Sequence, residues 1–276
     1  VLKNKKMIAL MLTMVFALTV IAVPAFAASK LSGTILISGS TSVQPIAEDL
    51  VKEFTKKNPG VSITVTGGGS GAGIKDVAAG RVNIGNSSRD LKPTDPQGLV
   101  KNVIAWDGVI VIVNSKNTVK GLTKEQVTKI FAGEITNWKE VGGKKDAPIV
   151  VYQRAVPSGT LDYFLESFMD GKKIVGTSKH FASNSLLMAA AAKDPNAIGF
   201  TSMGSLKGVK ALAIDGVAGD MKNANNGKYK YVRPFLMVTK GAPTGVTKEF
   251  IKFVQSPAGQ KIVGKKYIQF NKIKSK

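Results

Sequence analysis

The chain has no cysteine and a single histidine. Disulfides, thiolate metal centres and lipid attachment at a cysteine are thereby excluded. His180 stands alone in "TSKHFAS" and cannot build a metal cluster by itself; a solvated loop residue is expected there. Acid is scarce too. Eighteen Asp and Glu face 39 Lys and Arg, for a net charge of +21. Lysines spread over a surface keep a protein soluble and raise the local concentration of anions. They do not make a nucleic-acid platform here, because they are scattered and the aromatics do not interleave with them. Beyond residue 27 no apolar run is long enough to cross a membrane.

Before residue 27 the texture differs. Lys3, Lys5 and Lys6 precede an apolar run from Met7 to Val23, then Pro24 and Ala25-Phe26-Ala27-Ala28. A basic start, an apolar centre and an A-x-A end predict a secretory signal peptide over residues 1–27. The run is short of the roughly 20 apolar residues that a membrane span needs. Its three lysines account for part of the charge: +21 less 3 leaves +18 for the remainder. An exported, periplasmic protein is the expectation.

What is present is a repeated texture. "GTILIS" (33–38) reads as a strand and runs into Gly39-Ser40-Thr41-Ser42; Val43, Ile46, Ala47, Leu50, Val51 and Phe54 then fall at helical spacing, with Pro45 in the first turn. "VSITV" (61–65) is followed by Gly67-Gly68-Gly69-Ser70-Gly71-Ala72-Gly73 and a short helix over 74–79. "RVNIG" (81–85) ends in Asn86-Ser87-Ser88-Arg89. Farther on, "WDGVIVIVN" (106–114) is a strand, "TKEQVTKIFAG" a helix, and "PIVVYQR" (148–154) a strand that delivers Arg154 and then Val156-Pro157-Ser158-Gly159-Thr160 to a helix start. Leu161, Phe164, Leu165 and Phe168 make that helix amphipathic, with Ser158 as its N-cap. "AIGFTSM" (197–203) and "KYVRPFLMVTKG" (230–241) are further strands, and a last helix runs over 247–254. Strand, small polar loop and helix in alternation predict an α/β fold whose loops converge at the carboxyl ends of the strands.

These loops suit an oxyanion. Such a ligand sheds its water at a cost unless each oxygen is paired. Helix N-termini offer free N–H groups and partial positive charge, Ser and Thr hydroxyls donate without bulk, and arginine presents a fork for two oxygens. A nucleotide reading is disfavoured, with Gly67, Gly69 and Ala72 fitting a dinucleotide fingerprint only loosely. Gly68 and Gly73 have the first spacing of a triphosphate loop, but Ile74-Lys75-Asp76 follows where Lys and then Ser or Thr would be needed.

Six segments together, "SGSTSVQPIAEDLVKEF", "TGGGSGAGIKD", "NIGNSSRDLK", "LTKEQVTKIFAGEITNWKEVGG", "RAVPSGT" and "AIGFTSMGSL", resemble the phosphate-binding protein of bacterial Pst-type ABC transporters, a solute-binding protein family. "IFAGEITNW" and the R-x3-S-G-T segment are its most specific pieces. The resemblance implies a two-lobed periplasmic-binding-protein fold (type II-like), each lobe a mixed sheet flanked by helices, joined by crossing hinge strands. Lobe one would comprise residues 28–111 and 235–276, and lobe two residues 112–234. Inorganic phosphate would be bound by Thr41, Ser42, Ser70, Ser88, Arg154, Ser158, Gly159 and Thr160, and handed to the membrane permease of an ABC transporter. A monomer is implied, with no cofactor, no metal, no nucleic-acid partner and no catalysis.

Two positions depart from the family pattern. Well-known members carry an aspartate where Ser88 stands, accepting the phosphate proton; other branches resemble the Ser88-Arg89 form seen here. Some members place an acid two residues after the arginine, where this chain has Val156. Asp107 then reads either as a solvated turn residue or as a partner for Arg154 and an acceptor for the proton. Trp138 and Phe131 are expected in a core, Met188, Met203 and Met237 as gap-fillers, and the terminal "KKYIQFNKIKSK" as a solvated end. Three other functions compete with phosphate delivery: binding of another tetrahedral oxyanion, an exported phosphohydrolase, and a sensor or adhesin built on the same fold.

Overall fold

The computed structural model describes residues 31–273 of the chain; the expected signal peptide lies outside them. In chain order the elements are β1 (Ser32–Gly39), α1 (Gln44–Lys57), β2 (Gly60–Gly68), α2 (Ser70–Ala78), β3 (Ile84–Ser87), β4 (Leu99–Val113), β5 (Gly121–Leu122), α3 (Lys124–Ala132), β6 (Val150–Arg154), α4 (Gly159–Phe168), β7 (Lys179–Phe181), α5 (Asn184–Lys193), β8 (Ala197–Ser202), β9 (Lys210–Ala211), β10 (Ala213–Ile214), α6 (Met221–Asn225), β11 (Val232–Lys240), α7 (Gly245–Gln255), α8 (Pro257–Val263) and β12 (Ile268–Gln269). The mixed α/β expectation holds.

One mixed sheet runs in the order β2-β1-β3-β11-β4-β8-β6-β7. β4 is its pivot. The stretch from Leu99 to Gly108 pairs antiparallel with β11, from Leu99↔Lys240 to Gly108↔Val232, with a bulge between Phe235 and Leu236. The stretch from Val109 to Val113 pairs antiparallel with β8. These five residues are fully buried, as a strand covered on both faces should be.

Two main cores form on either side of this crossing. One gathers Ile35, Ile37, Ile46, Leu50, Phe54, Ile104, Phe235, Phe250 and Tyr267; the terminal stretch is therefore not simply a solvated end, since Tyr267 and Ile268 are buried where β12 pairs with β4. The other gathers Val109–Val113 with Val127, Phe131, Trp138, Phe164, Phe168, Phe200, Tyr229 and Tyr231. In the second core the Phe164 and Phe200 rings stack at 4.0 Å, and Phe168 stacks on Tyr231 at 4.1 Å. Cutting Phe164 to Ala would cost about 3–5 kcal/mol through the void left behind. Trp138, Phe131 and the three methionines are buried as expected. His180 is exposed, but it lies in β7 rather than in a loop, with Nε2 3.0 Å from Gln153 Nε2. Among the described residues no helix is long and apolar enough to cross a membrane.

The local signals act as read, with shifts at their edges. Thr123 closes a capping box on α3, and Gly133 ends that helix in the left-handed conformation. α2 starts at Ser70, four residues earlier than expected, because Gly69 at φ 95° makes the turn out of β2. A Cβ on Gly69 would also meet the Pro157 carbonyl oxygen at 2.5 Å. Only glycine satisfies both conditions.

Candidate functional site

Four helix N-termini meet between the two cores: those of α1 and α2 beside the first, and of α4 and α5 beside the second. At the end of β6, Arg154 is 1% exposed. Its Nη2 donates to Thr41 Oγ1 at 3.1 Å and to the Ala182 carbonyl at 2.8 Å, its Nε to the Phe181 carbonyl at 3.2 Å, and its Nη1 to Asn184 Oδ1. Every acceptor is neutral. Burial, and after it the nearby Arg233, push the Arg154 guanidinium down to about 10. Among the described residues no counter-ion accompanies this charge out of water, which is costly unless an anion joins it.

Around Arg154 the hydroxyls interlock. Ser42 Oγ lies 2.8 Å from Thr160 Oγ1, and Asn184 Nδ2 donates to Ser42 Oγ at 2.8 Å. Ser158 caps α4, accepting from the Leu161 N–H at 3.2 Å. Ser70 Oγ accepts from the Ser88 N–H at 3.0 Å and sits 3.3 Å from Ser88 Oγ. Gly159 lies directly against this pair: a Cβ there would come within 2.2 Å of Ser70 Oγ and 3.0 Å of Ser88 Oγ. The Gly71 N–H donates to the Pro157 carbonyl at 3.2 Å. Thr41, Ser42, Ser70, Ser88, Arg154, Ser158, Gly159 and Thr160, dispersed over 120 positions of the chain, are thus brought into one continuous cluster. All are buried except Thr41, which is half-buried.

Two members of the cluster were not anticipated. Asn184 opens α5 and joins Arg154 to Ser42. Arg233, from β11, is fully buried; its Nη2 donates to Ser42 Oγ at 3.2 Å and to Asp107 Oδ2 at 3.1 Å. Among the described residues its Nε and Nη1 have no hydrogen-bond partner. Both residues left a trace in the sequence. "FASNSLL" has the same strand-then-hydroxyl texture as the other loops, and Arg233 is the lone charge in "VRPFLMV".

Asp107 is not a solvated turn residue, being 1% exposed, and its hydrogen bonds do not go to Arg154. Oδ2 accepts from Arg233; Oδ1 accepts from Ser202 Oγ at 2.9 Å and from the Gly204 N–H at 3.2 Å. Burial pushes its pKa up, against the pull of Arg233, Gly204 and Ser202. The carboxylate is consumed by the crossing strands, because β4 and β11 place Asp107 and Arg233 directly opposite each other.

Arg89 holds a second contact between the two sides. Its Nη1 and Nη2 grip Asp95 in a fork at 2.7 and 3.0 Å, and its Nε reaches Asp162 in the first turn of α4 at 2.8 Å. Burial alone would lower its pKa, but Asp95 and Asp162 outweigh it and the net shift is upward. Lys92 Nζ adds a 3.3 Å contact to Asp162.

Comparison with known proteins places this arrangement. A family model described as the PBP superfamily domain matches residues 24–258. The phosphate-binding protein PstS of Bacillus subtilis (strain 168) is 36% identical over 239 residues, covering 85% of this chain and 79% of its own length. A crystal structure described as a phosphate ABC transporter substrate-binding protein from Clostridium perfringens, with bound phosphate, matches at a TM-score of 0.82 and 40% identity, over 88% of this chain and 100% of that one. An ABC-type phosphate transport receptor from Vibrio cholerae matches at a TM-score of 0.71 and 35% identity, over 86% and 100%. The chain, with its two-core fold, belongs to the PBP superfamily and, within it, to the PstS phosphate-binding proteins.

Proposed function

We propose that the protein captures inorganic phosphate in the cleft between its two lobes and hands it to the permease of an ABC transporter outside the cytoplasm. The observation that carries this reading is Arg154: a buried guanidinium with only neutral acceptors, ringed by hydroxyls and helix N-termini. An oxyanion supplies the missing negative charge, and helix N-termini add partial positive charge to hold it. The ligands are Thr41, Ser42, Ser70, Ser88, Arg154, Ser158, Gly159 and Thr160. The phosphate named for the similar proteins from Bacillus subtilis, Clostridium perfringens and Vibrio cholerae supports the choice of anion.

Of the described residues, those within 28–111 and 235–276 form one lobe in this reading, except Val109–Val111, which pack in the second core, and 112–234 form the other; β4 and β11 are the hinge. Because the candidate ligands come from both lobes, bound anion favours the closed arrangement through contacts that the open one lacks. The protein acts as a monomeric receptor, not a catalyst. Calorimetric titration of the exported protein with phosphate, arsenate, molybdate and sulfate tests the reading. Phosphate should bind tightly and lower the radius of gyration seen by small-angle scattering. Absence of binding by all four anions would refute it, and turnover in a phosphatase assay, with or without divalent metal, would refute the receptor role.

A further inference from the structure

Ser42 Oγ is surrounded by three polar groups: Asn184 Nδ2 at 2.8 Å, Arg233 Nη2 at 3.2 Å and Thr160 Oγ1 at 2.8 Å. Two of the three have no choice of role. A guanidinium N–H can only donate. The amide of Asn184 is oriented by Arg154, whose Nη1 must donate and therefore faces Oδ1; Nδ2 is left to face Ser42. A serine oxygen has two lone pairs and one proton. Asn184 and Arg233 take both lone pairs, so only the proton remains to be given.

We propose that Asn184 and Arg233 are positioning residues that lock the Ser42 hydroxyl as a donor, and so determine how the cleft reads the protonation of a tetrahedral oxyanion. The proposal rests on the oxyanion-binding reading above. The Ser42 proton points to Thr160 Oγ1 or, with ligand present, to an anion oxygen. Ser42 then cannot accept the proton of a phosphate hydroxyl. Phosphate and sulfate both present a bare oxygen to it, and it holds both alike. Asp107 does not supply the missing acceptor through any hydrogen bond to the candidate ligands: its oxygens accept from Arg233, Ser202 and Gly204.

Replacing Asn184 by Asp reverses the polarity. The new carboxylate accepts the Ser42 proton, and one lone pair of Ser42 turns to the ligand. That lone pair suits phosphate, which carries a proton, and not sulfate, which carries none.

The experiment is calorimetric titration with inorganic phosphate, and with sulfate in competition, on wild type, Ser42→Ala and Asn184→Asp. Ser42→Ala should weaken both anions by the same factor, about tenfold. Asn184→Asp should raise the phosphate-to-sulfate preference about tenfold, even as its added charge weakens both. A Ser42→Ala variant that loses phosphate tenfold more than sulfate overturns the proposal, as does an unchanged preference in a folded Asn184→Asp. If thermal melting shows Asn184→Asp unfolded, Ser42→Ala decides alone. If sulfate does not compete for wild type, phosphate affinity at pH 6 and pH 8 replaces it. An equal loss in Ser42→Ala at both pH values supports the lock, and a loss confined to pH 6, where the anion carries more protons, overturns it. A wild type that binds neither anion defeats the oxyanion reading itself and is seen before any variant is made.

Discussion

Arg89 and Arg154 are both buried arginines that reach from one side of the cleft to the other, and they are paired in opposite ways. Arg89 meets two carboxylates, Asp95 in a fork and Asp162 across the cleft. Arg154 meets a hydroxyl, an amide oxygen and two backbone carbonyls. The pKa of Arg89 is raised, whereas that of Arg154 is depressed to about 10. The first charge is neutralised by the protein and serves to hold α4 against the opposite loop. The second meets no carboxylate among the described residues, which is what the proposed anion site requires. Equal burial therefore does not mean equal role; the charge of the partner decides.

The largest effect expected from this contrast is on stability. Arg89→Met leaves Asp95 without its cation and Asp162 with Lys92 alone, and should cost roughly 3 kcal/mol in chemical denaturation, the low end for breaking a buried pair, because Asp162 keeps 28% of its side chain in water and its 3.3 Å contact to Lys92. Acid should do the same to the native pair. Burial raises the Asp95 pKa, but Arg89 and Lys92 overcome this and hold it below the usual carboxylate value. A carboxylate depressed in the folded state contributes stability above its unfolded pKa of about 4 and loses it as pH falls through the lower folded value. Denaturation midpoints should therefore drop below about pH 4 in wild type, and drop less in Arg89→Met.

Arg154→Ala should instead lose affinity. Removing a charge-assisted hydrogen bond costs roughly 1.5–3 kcal/mol, about a tenfold to hundredfold weaker phosphate Kd by calorimetry, with a smaller shift of the denaturation midpoint than Arg89→Met. Arg154→Lys should also bind poorly, because a point charge cannot reproduce the fork. An Arg154→Ala protein that binds like wild type would dissolve the contrast.

Gly159→Ala sits between the two arginines. Its Cβ would be driven into Ser70, so it should oppose the closed arrangement by about 1–3 kcal/mol, seen as a larger radius of gyration at saturating phosphate. The smallest effect is expected for Ser158→Ala, about 1 kcal/mol of stability from the lost N-cap of α4.

Much of the scaffold was legible because its signals are short-ranged. Ser158 as a cap, the stripe of Leu161, Phe164 and Phe168, and the Gly133 stop each depend on neighbours within one or two turns. Misses occurred where those signals were mixed. The first part of β4 was missed because Lys101 and Asn102 interrupt its apolar character. α8 was missed although Ser256 and Pro257 form a cap and first turn. In the sequence Arg233 stands out only as part of a strand. Yet the chain has only four arginines, and three of them are buried here while Arg81 is exposed. In a chain so rich in lysine, that choice of guanidinium was a signal for planar, paired chemistry.

From the sequence alone came the repeated strand, hydroxyl loop and helix start, the excess of cations, and the chemical type of each loop, since backbone turns and caps are decided by residues close along the chain. The partners of those loops were not so determined. Ser42 meets Thr160, Asn184 and Arg233 across 118, 142 and 191 positions. Asp107 belongs to Arg233 and not to Arg154 because β4 and β11 cross in one particular register. Only the tertiary structure decides such pairings, because register and strand order are chosen by burial of the whole sheet, and a side chain's hydrogen bonds follow from where the sheet sets it down.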